Sequence, residues 1–225
     1  MPLFYKKDIN TTTSLAIWKI EEPEAFFLDY VSLKSNITHP QKRLQHLAGR
    51  YLLQYLFPHF PINNIHIADT GKPYLESGQY QFSISHSGEY AAAIVSTTTQ
   101  RTGIDLEIVR PKVSKIAHRF LNQEEIIRLI GEGIDFKSEN LTQIQSKLLP
   151  KLAELTLYWC AKETIFKWWG IGDVNFSEMI RIDHFTIETN GIMKGRFIKG
   201  GITQSINLGY HVFNSLCLVW LSENW

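Results

Sequence analysis

The apolar and polar positions of the chain repeat with a helical period in two long segments. Residues 40–57 begin with a proline, which suits the first turn of a helix, and then place apolar side chains on one face. These apolar positions are Leu44, Leu47, Tyr51, Leu52 and Tyr55. Residues 151–169 form a second long helical pattern, which Gly170 ends. Between the two, Asn122 followed by Glu125 predicts a shorter helix that stops at Gly131.

Other segments alternate with period two, which predicts strands. In the first half of the chain these are residues 81–85, 90–97 and 101–109, and a short turn at 86–89 joins the first two. In the second half they are residues 180–188, 193–199, 205–213 and 216–222, which indicate an antiparallel sheet. The polar segment 131–150 is rich in Gln, Ser and Asn, and it is predicted to be a loop or a variable insertion.

A helix followed by strands thus occurs twice, before and after about residue 104. We predict an α+β fold of two similar halves, a pseudo-dimer, in which each half packs one long helix on an antiparallel sheet. The halves are predicted to span residues 1–103 and 104–225. Because clefts between domains are preferred ligand sites, we expect the functional site at their junction.

Composition limits the classes of function only weakly. The 225 residues are 44% hydrophobic and 20% charged, as in ordinary soluble globular proteins. The net charge of +1 gives no indication of a nucleic-acid or membrane partner, and we expect neither. Cys160 and Cys217 lack the spacing of a metal site or a disulfide framework, and the first residues lack the apolar core of a signal peptide. We therefore expect a cytoplasmic protein.

The charge is unevenly distributed along the chain. Between Tyr30 and Ala68 there is no Asp or Glu, whereas four lysines and arginines fall in that stretch. A locally positive surface suits a phosphate-rich ligand, although a solvated basic face is the alternative explanation.

Three carboxylates stand in patterns that suit a hard cation. If residues 103–108 form a strand, Asp105 and Glu107 point to the same side of it, and on a helix Glu163 shares a face with Lys167. Magnesium typically takes one or two carboxylates, keeps water and accepts substrate phosphates, which makes phosphoryl chemistry the first hypothesis. A solvated strand end and a surface helix pair are the structural alternatives.

Several segments resemble, in order and rough spacing, the motifs of 4′-phosphopantetheinyl transferases, and the two-halved length resembles the surfactin-type group. The segments are Gly71-Lys72-Pro73, Phe82-Ser83-Ile84-Ser85-His86-Ser87, Gly103-Ile104-Asp105-Leu106-Glu107, and Trp159 with Lys162, Glu163 and Lys167. Residues 119–125 are similar to the Phe-rich helix start of that family, with Glu125 as its acidic residue.

The resemblance implies a magnesium-dependent enzyme. It would transfer the 4′-phosphopantetheine arm of coenzyme A to a serine of an apo acyl or peptidyl carrier protein and release adenosine 3′,5′-bisphosphate. Asp105, Glu107 and Glu163 would hold the metal, for which manganese is also suited. Glu163 is also a candidate for deprotonating the serine, but a carboxylate bound to a cation is a poor base, so this role stays open. Lys167 would neutralise the pyrophosphate or help the leaving group.

The resemblance also implies which residues contact the phosphates of coenzyme A. Lys72 and His86 are expected to do so, with Arg43 and Arg50 as helpers. Lys162 lies about 100° around the helix from Glu163 and is expected to face another phosphate or solvent. The segment 131–150 lies where members of the family contact the carrier. Two fused halves remove the need to trimerise, so we expect a monomer.

Two other functions remain open from the sequence. A magnesium-dependent phosphohydrolase could use the same carboxylates on a nucleotide, and a non-catalytic module could bind coenzyme A or the carrier. Neither the physiological carrier nor the preferred metal follows from the sequence.

Overall fold

A computed structural model describes residues 2–33, 37–131 and 141–222. Contacts divide the chain into two compact units. Unit 1 comprises Met1–Leu106, Lys167–Ile171 and Ser222–Trp225, and unit 2 comprises Glu107–Phe166 and Gly172–Leu221. The division therefore falls within one strand and within one helix of the chain.

Unit 1 is built on a four-stranded antiparallel sheet with the order β1-β2-β6-β5. Its strands are β1 (Leu3–Asn10), β2 (Thr13–Lys19), β5 (Gln81–Ser87) and β6 (Tyr90–Ser96). A separate two-stranded sheet pairs β3 (Ile65–Ile67) with β4 (Pro73–Leu75). The short helix α1 (Glu24–Leu28) and the long helix α2 (Pro40–Leu56) complete the unit, with a 3₁₀ turn at Ile62–Asn64.

Helix α2 packs on the first sheet because β6 offers it small side chains. Side chains alternate along a strand, so Ala91 and Ala93 share one face, and they belong to the same buried core as Leu47 and Leu52 of α2. The hairpin between β5 and β6 is also tied to α2, because the Gln45 side-chain amide donates to the Gly88 carbonyl at 2.7 Å.

Unit 2 is built on the sheet with the order β7-β11-β10-β9-β8, whose last four strands pair antiparallel. The strands of this sheet are β7 (Thr102–Ile108), β8 (Ile180–Ile182), β9 (Asn190–Lys199), β10 (Ile202–Phe213) and β11 (Leu216–Ser222), of which residues 102–106 and Ser222 belong to unit 1. The long helix α6 (Leu152–Trp169) lies against β11, where the Thr164 hydroxyl donates to the Val219 carbonyl at 3.2 Å.

Four shorter helices complete unit 2. They are α3 (Lys112–Phe120), α4 (Gln123–Ile130), α5 (Leu141–Leu148) and α7 (Phe176–Met179), with a 3₁₀ turn at Leu149–Lys151. A capping box begins α4: the Asn122 side chain accepts from the backbone N–H of Glu125, and the Glu125 carboxylate accepts from that of Asn122.

The predicted α+β class is confirmed, and each unit packs one long helix on an antiparallel sheet. The similarity of the two halves stays a prediction. Helix α2, the capping box of α4 and the end of α6 at Trp169 lie within one residue of the predicted positions.

Three local predictions are wrong. His86 and Ser87 belong to strand β5, and the turn shortens to Gly88 and Glu89. Residues 141–150 are helical rather than loop, while residues 132–140 of the predicted loop lie outside the described residues. The strand predicted at 180–188 ends at Ile182.

In the described part of the chain, we find no helix with the length and apolar character needed to span a bilayer.

Candidate functional site

A buried carboxylate on β7 forms the centre of the candidate site. Asp105 is 3% exposed, and its Oδ1 accepts from the Lys167 Nζ at 2.6 Å and from the Ser85 hydroxyl at 2.7 Å. The same ammonium lies 2.9 Å from the Ser85 Oγ. All three residues belong to unit 1, and a partly buried ion pair of this kind is favoured where further hydrogen bonds satisfy both charges.

Serine side chains join β7 to β5 at this point. Ser83 and Ser85 point to the same side of β5, and their hydroxyl oxygens accept from the backbone N–H groups of Ile104 at 3.3 Å and Leu106 at 3.2 Å. The Ser-x-Ser spacing of β5 therefore fixes the part of β7 that carries Asp105.

The second oxygen of Asp105 fits a cation. Oδ2 is buried and finds no hydrogen-bond partner among the described residues. A buried polar atom without a partner costs about 1–3 kcal/mol, and carboxylate oxygens are the ligands that magnesium prefers. Within the described ranges, however, no three or more His, Cys, Asp or Glu side chains lie in a group that could hold a metal ion. The three-carboxylate set therefore stays a prediction.

The other two predicted ligands lie on the same two elements as Asp105 and Lys167. Glu107 follows Asp105 by two residues on β7 and is half-buried, and its Oε1 accepts weakly from the Trp159 Nε1 at 3.4 Å within unit 2. Glu163 is half-buried and lies on α6, one helical turn before Lys167.

Unit 1 also contains a cavity of about 630 Å³, within the usual size of small-molecule sites. Helix α2 lines it with cationic and polar side chains, and β5 contributes His86. Its polar lining comprises Ser32, Lys42, Gln45, His46, Arg50, Asn63 and His86, and its apolar lining includes Ile37, Ile62, Ile65, Ile67 and Ile84.

His46 is held neutral in this cavity. Its Nδ1 lies 3.0 Å from the Arg50 guanidinium, which can only donate, so Nδ1 must be the acceptor and the ring proton must sit on Nε2. Burial, followed by the charges of Arg50 and His86, lowers the pKa of His46 to about 4. Desolvation and the charge of Lys167 likewise lower the pKa of His86. The cavity therefore presents fixed positive charge together with neutral imidazole groups.

Lys72 lies outside this cavity, although Gly71 and Pro73 line it. Its Nζ donates to the Trp168 carbonyl at 3.4 Å, near the end of α6. Gly170 makes room for this side chain, since a Cβ there would lie 2.6 Å from the Lys72 Nζ. Burial, with a smaller effect of Arg101, lowers the pKa of Lys72 to about 8.

The lysine next to Glu163 is fully enclosed. Lys162 is 0% exposed, and its Nζ meets the Glu125 Oε2 at 2.7 Å. Three backbone carbonyls surround the same ammonium: those of Phe120 at 2.7 Å, Ile180 at 2.7 Å and Phe176 at 3.1 Å. Its contacts all lie within unit 2.

Comparison with known protein families finds a match over part of the chain. Residues 101–211 match the family model of the 4′-phosphopantetheinyl transferase superfamily. The matched stretch is just under half of the chain and contains Asp105, Glu107, Glu163 and Lys167. The match supports a transferase, and members of that superfamily act on carrier proteins in general. No curated protein matches the sequence. The surfactin-type subgroup stays a prediction.

The structure corrects the prediction for Lys162. Its ammonium is bonded to protein acceptors on four elements of unit 2, so it faces neither a phosphate nor solvent. The motif spacing places Lys162 about 100° around the helix from Glu163. It does not show which elements pack against that side of the helix.

The structure also changes which basic side chains of α2 are candidates for binding the phosphates of coenzyme A. The Arg43 guanidinium is paired with Glu24 of α1 and donates to the Ile37 carbonyl, and it does not line the cavity. Arg50 does line it, together with Lys42 and His46, which sequence reasoning missed. The sequence spacing could have predicted that these three side chains lie together, because residues 42, 46 and 50 are four apart and share one face of the helix.

Proposed function

We propose that this protein transfers the 4′-phosphopantetheine arm of coenzyme A to a serine of an apo acyl or peptidyl carrier protein. The observation that supports this most directly lies inside the segment that matches the superfamily. There, the buried Asp105 pairs with the half-buried Lys167 from a position 62 residues away in the chain, and both lie in the segments that resemble the motifs of that family. An ion pair with an unpartnered buried oxygen suits a metal-assisted phosphoryl site better than a purely structural pair.

Coenzyme A is the donor that fits the cavity of unit 1. Lys42 and Arg50 supply positive charge for phosphates, and the neutral His46 supplies an Nε2–H donor. The isoleucine-rich part of the lining offers an apolar surface for a nucleobase. His86 and Lys72 remain our candidates for further phosphate contacts, Lys72 from outside the cavity.

In the proposed reaction, the serine oxygen of the carrier attacks the phosphorus next to the pantetheine arm. The new bond joins that oxygen to phosphorus, and the bond that breaks is the bridging P–O bond of the pyrophosphate. Its electron pair leaves with adenosine 3′,5′-bisphosphate. Magnesium, held by Asp105, Glu107 and Glu163, would supply charge neutralisation for the pyrophosphate oxygens.

Lys167 is proposed to act on the same phosphates. Its contacts with Asp105 and Ser85 use two of the three hydrogens of an ammonium group. The third can donate to a pyrophosphate oxygen and stabilise the leaving group. Glu163 is the candidate to take the serine proton, either directly or through a water molecule.

The test of the transfer reaction is a mass measurement on the acceptor. The protein is incubated with coenzyme A, magnesium chloride and several purified apo carrier proteins, and each carrier is weighed. We expect a gain of one phosphopantetheine on at least one carrier and an equal amount of adenosine 3′,5′-bisphosphate. Release of inorganic phosphate without an acceptor would instead indicate a phosphohydrolase, and binding of coenzyme A without turnover would indicate a binding module.

The role of Glu163 is tested by Glu163→Gln, which keeps the shape of the side chain and removes its charge. We expect the transfer rate to fall by at least about a hundredfold, because a metal ligand and a candidate base are lost together. Glu154→Gln, on the same helix α6 and paired there with Lys151, is the matched control and should keep nearly the full rate. Equal rates for Glu163→Gln and the unmodified protein would remove Glu163 from the site.

A further inference from the structure

The two oxygens of the Asp105 carboxylate have different surroundings. Oδ1 is held by two donors, the Ser85 hydroxyl at 2.7 Å and the Lys167 ammonium at 2.6 Å. Oδ2 is buried and has no hydrogen-bond partner among the described residues. One oxygen is thus bound to the protein, and the other is buried without a hydrogen-bond partner among the described residues.

Ser85 uses the whole hydrogen-bonding capacity of its hydroxyl in this arrangement. It donates its hydrogen to Asp105 and accepts from the Lys167 ammonium at 2.9 Å and from the Leu106 backbone N–H at 3.2 Å. A serine hydroxyl has one hydrogen and two lone pairs, so no capacity is left for a substrate contact. Because both acceptor positions are filled, the hydrogen points to Asp105.

We propose that Ser85 is a positioning residue, which anchors Asp105 through Oδ1 and thereby presents Oδ2 to the metal ion. The inference rests on the proposed function, in which Asp105 is a metal ligand. The terminal torsion of an aspartate is broad and roughly two-fold, so a single donor leaves the carboxylate able to rotate. Ser85, itself fixed to the backbone of β7, restricts that rotation. Partners of this kind orient metal ligands in many proteins.

Ser83 provides a matched control for this role. Its hydroxyl accepts from the Ile104 backbone N–H at 3.3 Å, as Ser85 accepts from that of Leu106. Both serines are 5% exposed and both join β5 to β7. The two serines differ in one respect: Ser85 also bonds to Asp105 and Lys167, and the hydrogen bond described for Ser83 is to the backbone of Ile104. A purely structural role of the strand contact predicts equal effects of the two substitutions.

The experiment compares Ser85→Ala, Ser83→Ala and the unmodified protein in binding Mn²⁺. Binding is measured by electron paramagnetic resonance of the free ion, in the presence of coenzyme A and without a carrier. We expect Ser85→Ala to raise the dissociation constant for Mn²⁺ about tenfold, and Ser83→Ala to change it less than about twofold. Thermal unfolding of both variants, measured in parallel, reports the loss of the strand contact itself.

Equal dissociation constants for Ser85→Ala and the unmodified protein, or equal weakening by both alanine variants, would overturn the positioning role while leaving the proposed function intact. Absence of Mn²⁺ binding to the unmodified protein would instead overturn the metal assignment together with the inference. If Ser85→Ala does not fold, Ser85→Cys takes its place, because a thiol is a weaker donor of similar shape. It should weaken Mn²⁺ binding by an intermediate factor, and unchanged binding would again exclude the positioning role.

Discussion

At the scale of single residues, environment decides the chemical role of each ionisable side chain. Lys162 and Lys167 lie on the same helix, yet one is enclosed by protein acceptors and the other reaches Asp105 and Ser85. His46 and Arg50 show the same effect, since the guanidinium and burial together keep the imidazole neutral. The identity of a residue gives its chemistry, and its neighbours decide which part of that chemistry is used.

A pH-dependent stability follows from His46. The pKa of His46 in the folded protein, about 4, lies below the ordinary value of 6.5. Between these two pH values the unfolded chain therefore binds a proton at His46 that the folded protein does not bind. The corresponding stability is fully present above pH 6.5 and is lost as the pH falls towards 4. We expect His46→Gln, which keeps an acceptor for Arg50 and cannot titrate, to show a smaller drop of the melting temperature over this interval.

The measurement is thermal unfolding of the protein without ligand at several pH values between 7.5 and about 4. His59→Gln, at an exposed position of the same unit, is the control and should follow the unmodified protein. Parallel curves for His46→Gln and the unmodified protein would show that His46 does not cause the acid loss of stability.

At the scale of secondary-structure elements, glycines allow close approach of large side chains. On β10, Gly209 pairs in register with Trp220 of β11, and a Cβ on Gly209 would lie 2.3 Å from two carbons of the indole ring. The indole therefore occupies the space beside the glycine. On α2, a Cβ on Gly49 would lie 2.6 Å from the Ile84 Cγ2, so the helix approaches β5 closely for the same reason.

The Gly209→Ala substitution is therefore expected to destabilise unit 2. The rigid indole cannot move aside as a flexible chain end would, and overpacking of this kind costs about 1–3 kcal/mol. The free energy of unfolding, measured by denaturant titration, gives the size of the effect. Ser205→Ala, at an exposed position of the same strand, should change it by less than about 0.5 kcal/mol. Combining Gly209→Ala with Trp220→Leu should recover part of the loss, and strict additivity would argue against a clash.

At the scale of the whole molecule, a hydrogen-bonded ion pair organises unit 2. Glu125 accepts from Lys162, from the Asn122 backbone in the capping box and from the Ile182 backbone at 2.9 Å. One carboxylate thus connects the start of α4, helix α6 and strand β8. Breaking a buried ion pair by removing one partner is costly because the remaining charge is left unpaired.

Lys162→Met tests this organisation. It leaves the Glu125 carboxylate buried without its counter-charge, and we expect a loss of about 3–5 kcal/mol in the free energy of unfolding. Adding Glu125→Gln removes that charge and keeps the capping-box geometry, so the double variant should be more stable than Lys162→Met alone. Denaturant titrations of the single and double variants measure this coupling, and additive losses would contradict it.

Local sequence determined the parts of this protein that depend on neighbouring residues. The apolar face of α2, the capping box at Asn122 and Glu125, and the same-side placement of Asp105 and Glu107 follow from helical and strand periods. The helix at residues 141–148 was not predicted, because the polar composition of this segment resembles a loop, whereas tertiary packing supports a helix there.

Only the tertiary structure decided which of the candidate side chains meet. Ser85 lies 20 residues before Asp105, and Lys167 lies 62 residues after it, so no local pattern could place the three in contact. Lys162 is fully buried, whereas the neighbouring Glu163 is only half-buried. The Arg43 guanidinium pairs with Glu24 and does not line the cavity that Lys42, His46 and Arg50 line. The physical reason is common to all these cases: hydrogen bonds and burial depend on the packing of elements that are distant in sequence, and periodicity within one element carries no information about that packing.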